Sequence, residues 1–142
     1  KLTYLMLTVQ TLFSMKTFRA TVTVDGEIET CQNMIFAAAM NLRAEGGGVP
    51  MAPDSTPYDG NISLSSASGI PKWKTFFLLP LLALGKQSRI KGFDVKDGAE
   101  ITLELDQPVV VHADGEYCGE VRYIKFCCRR DTLWLLHPRR GK

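Results

Sequence analysis

The sequence has little of what metal centres and disulfide frameworks require. Its 142 residues include four cysteines and two histidines, and no Cys-x-x-Cys pair occurs. His112 and His137 lie far apart, so the chain has no zinc-binding spacing. The scattered cysteines are typical of a reducing compartment. These absences argue against a zinc module and against a small disulfide-stabilised domain.

Strong charge and long apolar runs are absent as well. The net charge is +2 and no dense basic stripe occurs, so we expect no nucleic-acid partner. The apolar segment 1–16 is too short and too rich in Thr, Ser and Gln to span a bilayer, which takes about 20 residues. With 45% hydrophobic and 23% charged residues, the composition predicts one globular domain over residues 1–142. Because the chain begins at Lys1 rather than Met, we expect it to be part of a longer protein.

Short alternating segments separated by Asp-Gly turns predict a mainly β fold. The most apolar of them, residues 34–40, could also form a helix because it contains three alanines. The hairpin turn before it favours a buried strand instead. The whole pattern predicts a β-sandwich of antiparallel strands with two flanking helices. The predicted strands cover residues 17–24, 28–42, 61–66, 90–95, 100–105, 109–113, 120–127 and 132–136.

Two segments have helical spacing. In residues 1–16 the apolar positions recur every three or four residues, which predicts one helix. The second helix is predicted over residues 71–85, capped by Ser68 or Gly69 and kinked or split at Pro80. Its apolar stripe has lysines on both sides. It therefore suits either a helix that covers the sheet or a contact with an anionic membrane surface.

The hairpin Asp114-Gly115-Glu116 is the first candidate site. Asp-Gly is a strong signal for a two-residue turn, and Glu116 stands where the chain turns back into the next strand. A carboxylate held on a rigid hairpin can act as a positioned base, but it can equally be a solvated charge beside an ordinary turn. The same tripeptide also occurs at Asp25-Gly26-Glu27. Residue types alone leave both interpretations open.

A stiff, proline-rich loop over residues 49–60 is the second candidate site. Asp54 and Asp59 could provide oxygen ligands for Mg²⁺ or Ca²⁺, or each could cap its own turn. The preceding Gly46-Gly47-Gly48 lacks the lysine and hydroxyl of a phosphate-binding loop, so it is better interpreted as a flexible turn.

Three motifs occur in a characteristic order. Asn41 stands four residues before Gly46-Gly47-Gly48, Ala52-Pro53-Asp54 is followed by Asp59-Gly60, and Asp114-Gly115-Glu116 lies between strands near the end. Together they resemble the C-terminal domain of the bacterial diacylglycerol-kinase-like lipid kinases, relatives of sphingosine and ceramide kinases. The resemblance covers essentially the whole chain.

The resemblance implies the β-sandwich half of a two-domain kinase, which transfers the γ-phosphoryl group of ATP to a lipid hydroxyl such as that of diacylglycerol. It implies Glu116 as the catalytic base, with Asp114 fixing its position, and Asp54 and Asp59 as ligands of a structural Mg²⁺. The implied partners are the lipid, the surface of a membrane, and the protein's own N-terminal nucleotide-binding domain, which would hold most of the ATP. The implied location is the cytoplasm, at or near the inner face of the membrane.

The sequence departs from the family pattern at two points. Gly85-Lys86-Gln87 has no histidine where the family often has Gly-x-His, and the family's ATP-holding Gly-Gly-Asp-Gly-Thr motif does not occur. We therefore expect the chain alone to be inactive. The alternative is a lipid-binding or interaction β-module without chemistry, because a shell of apolar strands could hold an acyl chain without phosphorylating it.

Overall fold

The computed structural model describes residues 14–45 and 48–130. The strands are β1 (Phe18–Val24), β2 (Glu27–Met40), β3 (Ile62–Ser68), β4 (Phe93–Gly98), β5 (Glu100–Ala113) and β6 (Glu116–Cys127). One helix, α1 (Lys72–Ala83), and a 3₁₀ helix (Gln87–Arg89) connect β3 to β4. The predicted helix over 1–16 falls almost entirely outside the described residues, and the predicted strand over 132–136 falls wholly outside them.

The strands form one antiparallel sheet in the order β4-β3-β2-β1-β5-β6, which confirms the mainly β prediction. β2 pairs with a different neighbour along each half of its length. Residues 27–34 pair with β1, and residues 34–40 pair with β3. Asn33, with a φ of 52°, lies at the transition, where the register shifts. Asparagine tolerates this left-handed conformation better than most residues, and such bulges bend a strand. The alanine-rich segment is thus a strand, as the hairpin turn predicted.

The sheet folds over on itself at β2, so that its two halves pack face to face as a sandwich. Leu64 of β3 is 2% exposed and shares a buried cluster with Val22 of β1 and Leu103 of β5, although two strands separate β3 from β5 in the sheet. Burying each side chain of this size stabilises the fold by about 1.5–3 kcal/mol. The buried members of this core are Phe18, Ala20, Val22, Met34, Leu64, Ile101 and Leu103.

A second core lies on the other face of β2 and β3, beneath α1 and the proline-rich loop. The hydroxyl of Ser65 donates a hydrogen bond of 2.9 Å to the carbonyl of Met51, which fixes this loop to β3. The loop that carries Asp54 therefore has a buried base, although Asp54 itself is exposed. The buried members of this core are Ile35, Met40, Met51, Ala52, Ala67, Ile70 and Leu82.

The start of helix α1 differs from the prediction. Pro71 occupies the N-cap position and no side chain caps the helix, so the predicted capping by Ser68 or Gly69 is wrong. Ser68 instead ends β3. Proline suits the start of a helix because its missing N–H would have no partner there and its φ is already helical.

The end of helix α1 follows the prediction. Gly85 has a φ of 65°, and its N–H donates to the carbonyl of Leu82 while the N–H of Lys86 donates to that of Leu81. This pair of bonds is a Schellman motif, which favours glycine at its left-handed position. Pro80 does not split the helix, because it removes one backbone hydrogen bond close to the helix end.

The connection from β4 to β5 also differs from the prediction. The sequence pattern predicts a turn at Asp97-Gly98 between the strands over 90–95 and 100–105. No such turn forms, since β4 continues through Asp97 to Gly98 and only Ala99 separates it from β5. β5 then runs unbroken to Ala113 rather than as two strands, and its register with β6 shifts after Glu104. The shifted segment is tied to β1, because the carboxylate of Asp106 accepts a hydrogen bond of 2.9 Å from the backbone N–H of Arg19.

Candidate active site and metal loop

The β5–β6 hairpin carries the predicted catalytic residues at its tip. Asp114 and Gly115 have φ values of 49° and 89°, and two positive values in succession define the type I′ turn that Asp-Gly favours. Glu116 begins β6 and pairs with Ala113 across the turn. The turn residues and Glu116 are exposed. The structure thus places Asp114 and Glu116 at an exposed two-residue hairpin turn.

Glu116 lies on the more sheltered face of this hairpin. Ala113, Val111 and Val109 alternate along β5 and so share one face, and their partners Glu116, Gly119 and Val121 share it with them. The three valines of the two strands on this face are half-buried, whereas the opposite face is exposed. Val109 also packs against the sandwich core. The carboxylate therefore ends an apolar strip, which we call the valine face (Val109, Val111 and Val121).

A β-bulge in β6 makes this placement possible. Val111 pairs with Gly119 and His112 pairs with Tyr117, so Cys118 is an extra residue without a partner opposite it. Gly119 has a φ of 105°, a conformation that glycine adopts without strain. Because the bulge absorbs one residue, a two-residue turn can form and Glu116 still begins the strand. Bulges often re-aim a side chain in this way near active sites, and the sequence did not reveal this one.

The exposed face of the hairpin carries an aromatic pair. The rings of His112 and Tyr117 lie edge to face with centroids 5.9 Å apart. Such pairs add about 0.5–1.5 kcal/mol beyond area burial. They stabilise the hairpin tip from the side opposite to Glu116.

The duplicate tripeptide forms the same kind of turn but has a different environment. Asp25 and Gly26 have φ values of 47° and 94°. The carboxylate of Asp25 accepts hydrogen bonds from the backbone N–H groups of Ala99 at 3.1 Å and of Glu100 at 2.8 Å. Among the described residues, by contrast, neither Asp114 nor Glu116 has a hydrogen bond or ion pair to its side chain. Asp25 thus holds the first hairpin to the start of β5, whereas the carboxylates of the second hairpin contact no polar group of the described residues.

Glu100, whose backbone N–H donates to Asp25, also contacts β6 through its side chain. Its carboxylate forms an ion pair of 2.8 Å with Lys125. The hydrogen bond to the Glu100 carboxylate raises the pKa of Lys125. Both side chains are partly exposed, so the ion pair contributes little to stability.

The predicted metal loop places its two carboxylates on the surface. The Oδ1 atom of Asp59 accepts a hydrogen bond of 2.9 Å from the backbone N–H of Asn61, so this residue caps its own turn. Asp54 is exposed and its side chain has no hydrogen-bond partner within the part of the chain described. In that same part no group of three or more His, Cys, Asp or Glu residues is arranged to hold a metal ion. Within the described residues, Asp54 and Asp59 thus have no third acidic, histidine or cysteine side chain grouped with them.

Arg130 is a member of this loop region that the sequence analysis did not identify. Its guanidinium donates a hydrogen bond of 3.0 Å to the carbonyl of Asp59 and lies directly over Gly60, where a Cβ atom would collide with it. Gly60 also has a φ of 78°. The positive φ is what favours glycine here, since the flexible side chain of Arg130 can move away from a Cβ atom. The positive charge of Arg130 lowers the affinity of the loop for a cation.

Gln87 stands where the resembled family often has histidine. It is 3% exposed, and its side-chain Nε2 donates a hydrogen bond of 2.5 Å to the carbonyl of Pro50. Its Oε1 atom is buried and has no partner within the described residues. The side chain thus fixes the proline-rich loop to the segment after α1. The glutamine that replaces the family's frequent histidine therefore has a structural role in this chain.

None of the four predicted site residues lines either of two open clefts in the described surface. The larger, of about 390 Å³, lies between the sheet halves and is bridged by an ion pair between Lys96 and Glu29. The smaller, of about 190 Å³, lies beside Arg19 and Asp106. Glu116 thus lies at the end of the valine face and outside both of these clefts.

Comparisons with known proteins agree with this architecture. The sequence profile of the YegS C-terminal NAD kinase beta sandwich-like domain matches residues 1–132. A Bacillus subtilis (strain 168) protein named "Putative lipid kinase YtlR" is 29% identical over 104 residues, which are 73% of this chain and 34% of that protein. The chain thus spans about a third of the length of this relative.

Solved structures share the fold. A diacylglycerol kinase from Bacillus anthracis str. Sterne superposes with a TM-score of 0.64 at 18% identity, over 89% of this chain and 42% of that one. A second structure, titled "putative diacylglycerol kinase" from the same organism, gives a TM-score of 0.63 at 19% identity over 86% and 42% of the two chains. The resemblance to the C-terminal domain of lipid kinases is confirmed, and the chain belongs to the family of YegS C-terminal NAD kinase beta sandwich-like domains.

Proposed function

We propose that the chain is the β-sandwich half of an ATP-dependent lipid kinase, in which it binds the lipid and provides the catalytic base. The observation that carries this proposal is the position of Glu116. Its carboxylate has no partner among the described residues and ends the half-buried valine face. A free carboxylate beside an apolar strip suits a substrate with a hydroxyl at one end and acyl chains at the other, such as diacylglycerol.

In the proposed reaction the lipid hydroxyl donates a hydrogen bond to Glu116. The hydroxyl oxygen attacks the γ-phosphorus of ATP, the bond to the β–γ bridging oxygen breaks, and ADP leaves while the hydroxyl proton passes to Glu116. Phosphoryl transfer requires mainly alignment of the acceptor and neutralisation of charge. Asp114 is a positioning residue, because it sets the turn that holds Glu116 at the start of β6.

We propose that ATP is held mainly by an N-terminal nucleotide-binding domain of the full-length protein. The matched region is 34% of the curated relative and 42% of the solved structures, so those proteins have room for such a domain. The β-sandwich would then present the lipid hydroxyl to the nucleotide across the space between the two domains. Holding donor and acceptor in one geometry accounts for much of the rate of such a transferase.

We also propose that Asp54 and Asp59 bind Mg²⁺ as a structural ion. The ion would brace the proline-rich loop, whose base is already fixed by Ser65 and Gln87. Because Arg130 lies beside the loop, we expect the affinity to be modest. No step of the reaction depends on this ion.

The experiment is a transfer assay with the full-length protein. Incubation with γ-labelled ATP, Mg²⁺ and diacylglycerol in mixed micelles should give labelled lipid, and residues 1–142 alone should give none. Lipid binding by the full-length protein without transfer would favour the alternative, a binding module without chemistry. Labelled lipid produced by residues 1–142 alone would contradict the proposed division of labour.

A further inference from the structure

Helix α1 has exposed apolar residues on the side that faces away from the core. Thr75 and Leu82, which are seven residues apart, are each 5% exposed and lie on the side that faces the second core. On the opposite side, Trp73 and Leu84 are 60% and 66% exposed, and Pro80 between them is exposed too. These three positions lie within about 40° of one another around a helix with 3.6 residues per turn. A helix that covers a sheet in water normally has polar residues on its outer side.

The segment around this helix carries charge of one sign. Residues 61–93 contain four lysines and one arginine but no aspartate or glutamate, although the whole chain has a net charge of only +2. Lys74, Lys86, Arg89 and Lys91 are exposed, and none of them forms an ion pair within the described residues. The ammonium group of Lys74 lies 5.2 Å from the centre of the Trp73 ring.

We propose that this surface docks on an anionic lipid bilayer. We call it the α1 surface and define it as Trp73, Lys74, Pro80, Leu84, Lys86 and Lys91. Its apolar outer side would sink to the boundary between headgroups and acyl chains, as the apolar faces of interfacial helices do. Its lysines would contact anionic headgroups, and each such contact strengthens binding about fivefold, or about 1 kcal/mol. Tryptophan and lysine together at headgroup level are typical of membrane interfaces.

The charge pattern favours a bilayer over a protein partner. A protein that covered this surface would have to supply carboxylates opposite several separate cations, whereas an anionic bilayer supplies negative charge everywhere. Within the described residues no helix is long and apolar enough to cross a membrane, and the proposed contact requires none. The inference concerns binding and does not depend on the proposed reaction.

The first test measures co-sedimentation of the full-length protein with phosphatidylcholine vesicles, with and without phosphatidylglycerol, in the absence of ATP. The variant Lys74→Gln/Lys86→Gln/Lys91→Gln should bind anionic vesicles about 100-fold more weakly, since three contacts of about fivefold are lost. The control Lys16→Gln/Arg19→Gln/Arg43→Gln removes the same charge from exposed positions elsewhere and should bind nearly as wild type. Added salt should weaken wild-type binding and remove most of the difference.

The second test concerns the apolar side of the surface. Trp73→Ser and Leu84→Ser should each weaken vesicle binding, while Ile28→Ser, at a position 73% exposed on another hairpin, should not. Tryptophan fluorescence should shift to the blue when vesicles are added, and this shift should disappear in Trp73→Phe. All of these positions are exposed, so the melting temperatures should stay close to that of the wild type.

Two kinds of result would overturn the proposal. One is equal binding of anionic vesicles by the lysine variant and its control, or no binding by the wild type. The other is a Trp73 that iodide cannot quench in the full-length protein without vesicles, because another part of the protein would then cover the surface. Since no ATP is present, either failure is distinguishable from a failure of the proposed kinase reaction.

Discussion

The carboxylate of Asp25 accepts a hydrogen bond of 2.8 Å from the backbone N–H of Glu100, so the first hairpin turn is tied to the start of β5. A second bond of 3.1 Å comes from Ala99, the single residue between β4 and β5. Asp114 occupies the same position in a turn of the same type, and its side chain has no partner within the described residues. The two Asp-Gly-Glu tripeptides therefore differ in environment although they are identical in sequence.

This difference predicts unequal effects on stability. Asp25→Asn removes the charge from two hydrogen bonds that hold the sheet together, so it should lower the free energy of unfolding by about 1–2 kcal/mol. Asp114→Asn should change it by less than about 0.5 kcal/mol, since asparagine also adopts positive φ and no bond is lost. Chemical denaturation of both variants measures the difference. Equal losses in the two variants would contradict the predicted difference between the two turns.

Local patterns predicted the two hairpin turns and the end of α1 because the responsible interactions lie within a few residues. At residues 25–26 and 114–115 Asp-Gly forms the type I′ turn that its backbone preferences favour, and Gly85 ends α1 by adopting the left-handed conformation. The capping of α1 was mispredicted because Ser68 is taken by β3. The pairing of Ser68 with β2, a non-local interaction, therefore determined its conformation.

The role of each tripeptide could not be read from the sequence. Asp25 is a scaffold residue because Glu100, 75 positions later, donates to it. The valine face depends on a bulge at Cys118 and Gly119, and only the register between β5 and β6 reveals this bulge. Arg130 reaches Asp59 across 71 positions in the same way. These relationships are long-range, so no local pattern contains them.

A rescue experiment in the full-length protein tests whether the bulge positions Glu116. Gly119→Val disfavours the φ of 105°, and regular pairing from Val121 onward would then push Glu116 into a three-residue loop and away from the valine face. We expect kcat to fall. Deleting Cys118 in the same variant makes the pairing regular while keeping Glu116 opposite Ala113, so activity should return.

The expected rescue separates positioning from general damage. Melting temperatures of both variants report any loss of folding. An unchanged kcat in Gly119→Val, or no recovery after deletion of Cys118, would mean that the bulge does not position Glu116.

The proposed Mg²⁺ loop predicts stabilisation by the metal. Adding Mg²⁺ should raise the melting temperature, because a ligand at 100 times its Kd contributes about 2.7 kcal/mol when it binds only the folded state. Asp54→Asn/Asp59→Asn should abolish the increase, and Asp114→Asn, which removes another exposed carboxylate, should preserve it. The same increase in all three proteins would place the ion elsewhere.

The partial burial of Cys31 predicts that its thiol reacts more slowly than that of Cys118. Burial raises the pKa of the Cys31 thiol, and the negative charge of Asp94 raises it further. At mildly alkaline pH less of it is thiolate, so iodoacetamide should modify Cys31 more slowly than the exposed Cys118. The same shift contributes stability below the ordinary thiol pKa of about 8.5, and this contribution is lost as the pH rises through the folded pKa. Peptide mass spectrometry over time measures the rates, and equal rates would contradict the burial of Cys31.

The central claim is that Glu116 is the base, and the chain contains its own control. Glu116→Gln in the full-length protein keeps the shape of the side chain but removes its basicity, so kcat should fall by about 10²–10⁴ while KM for ATP changes little. Glu27→Gln changes the matching residue of the duplicate hairpin, which we assign to the scaffold, and should leave kcat unchanged. Folding should survive both, since an exposed glutamate contributes within about 0.5 kcal/mol. The decisive measurement is the ratio of the two kcat values in one lipid phosphorylation assay. A ratio of about 10² or more supports the account, whereas equal losses, or no loss in Glu116→Gln, would contradict it.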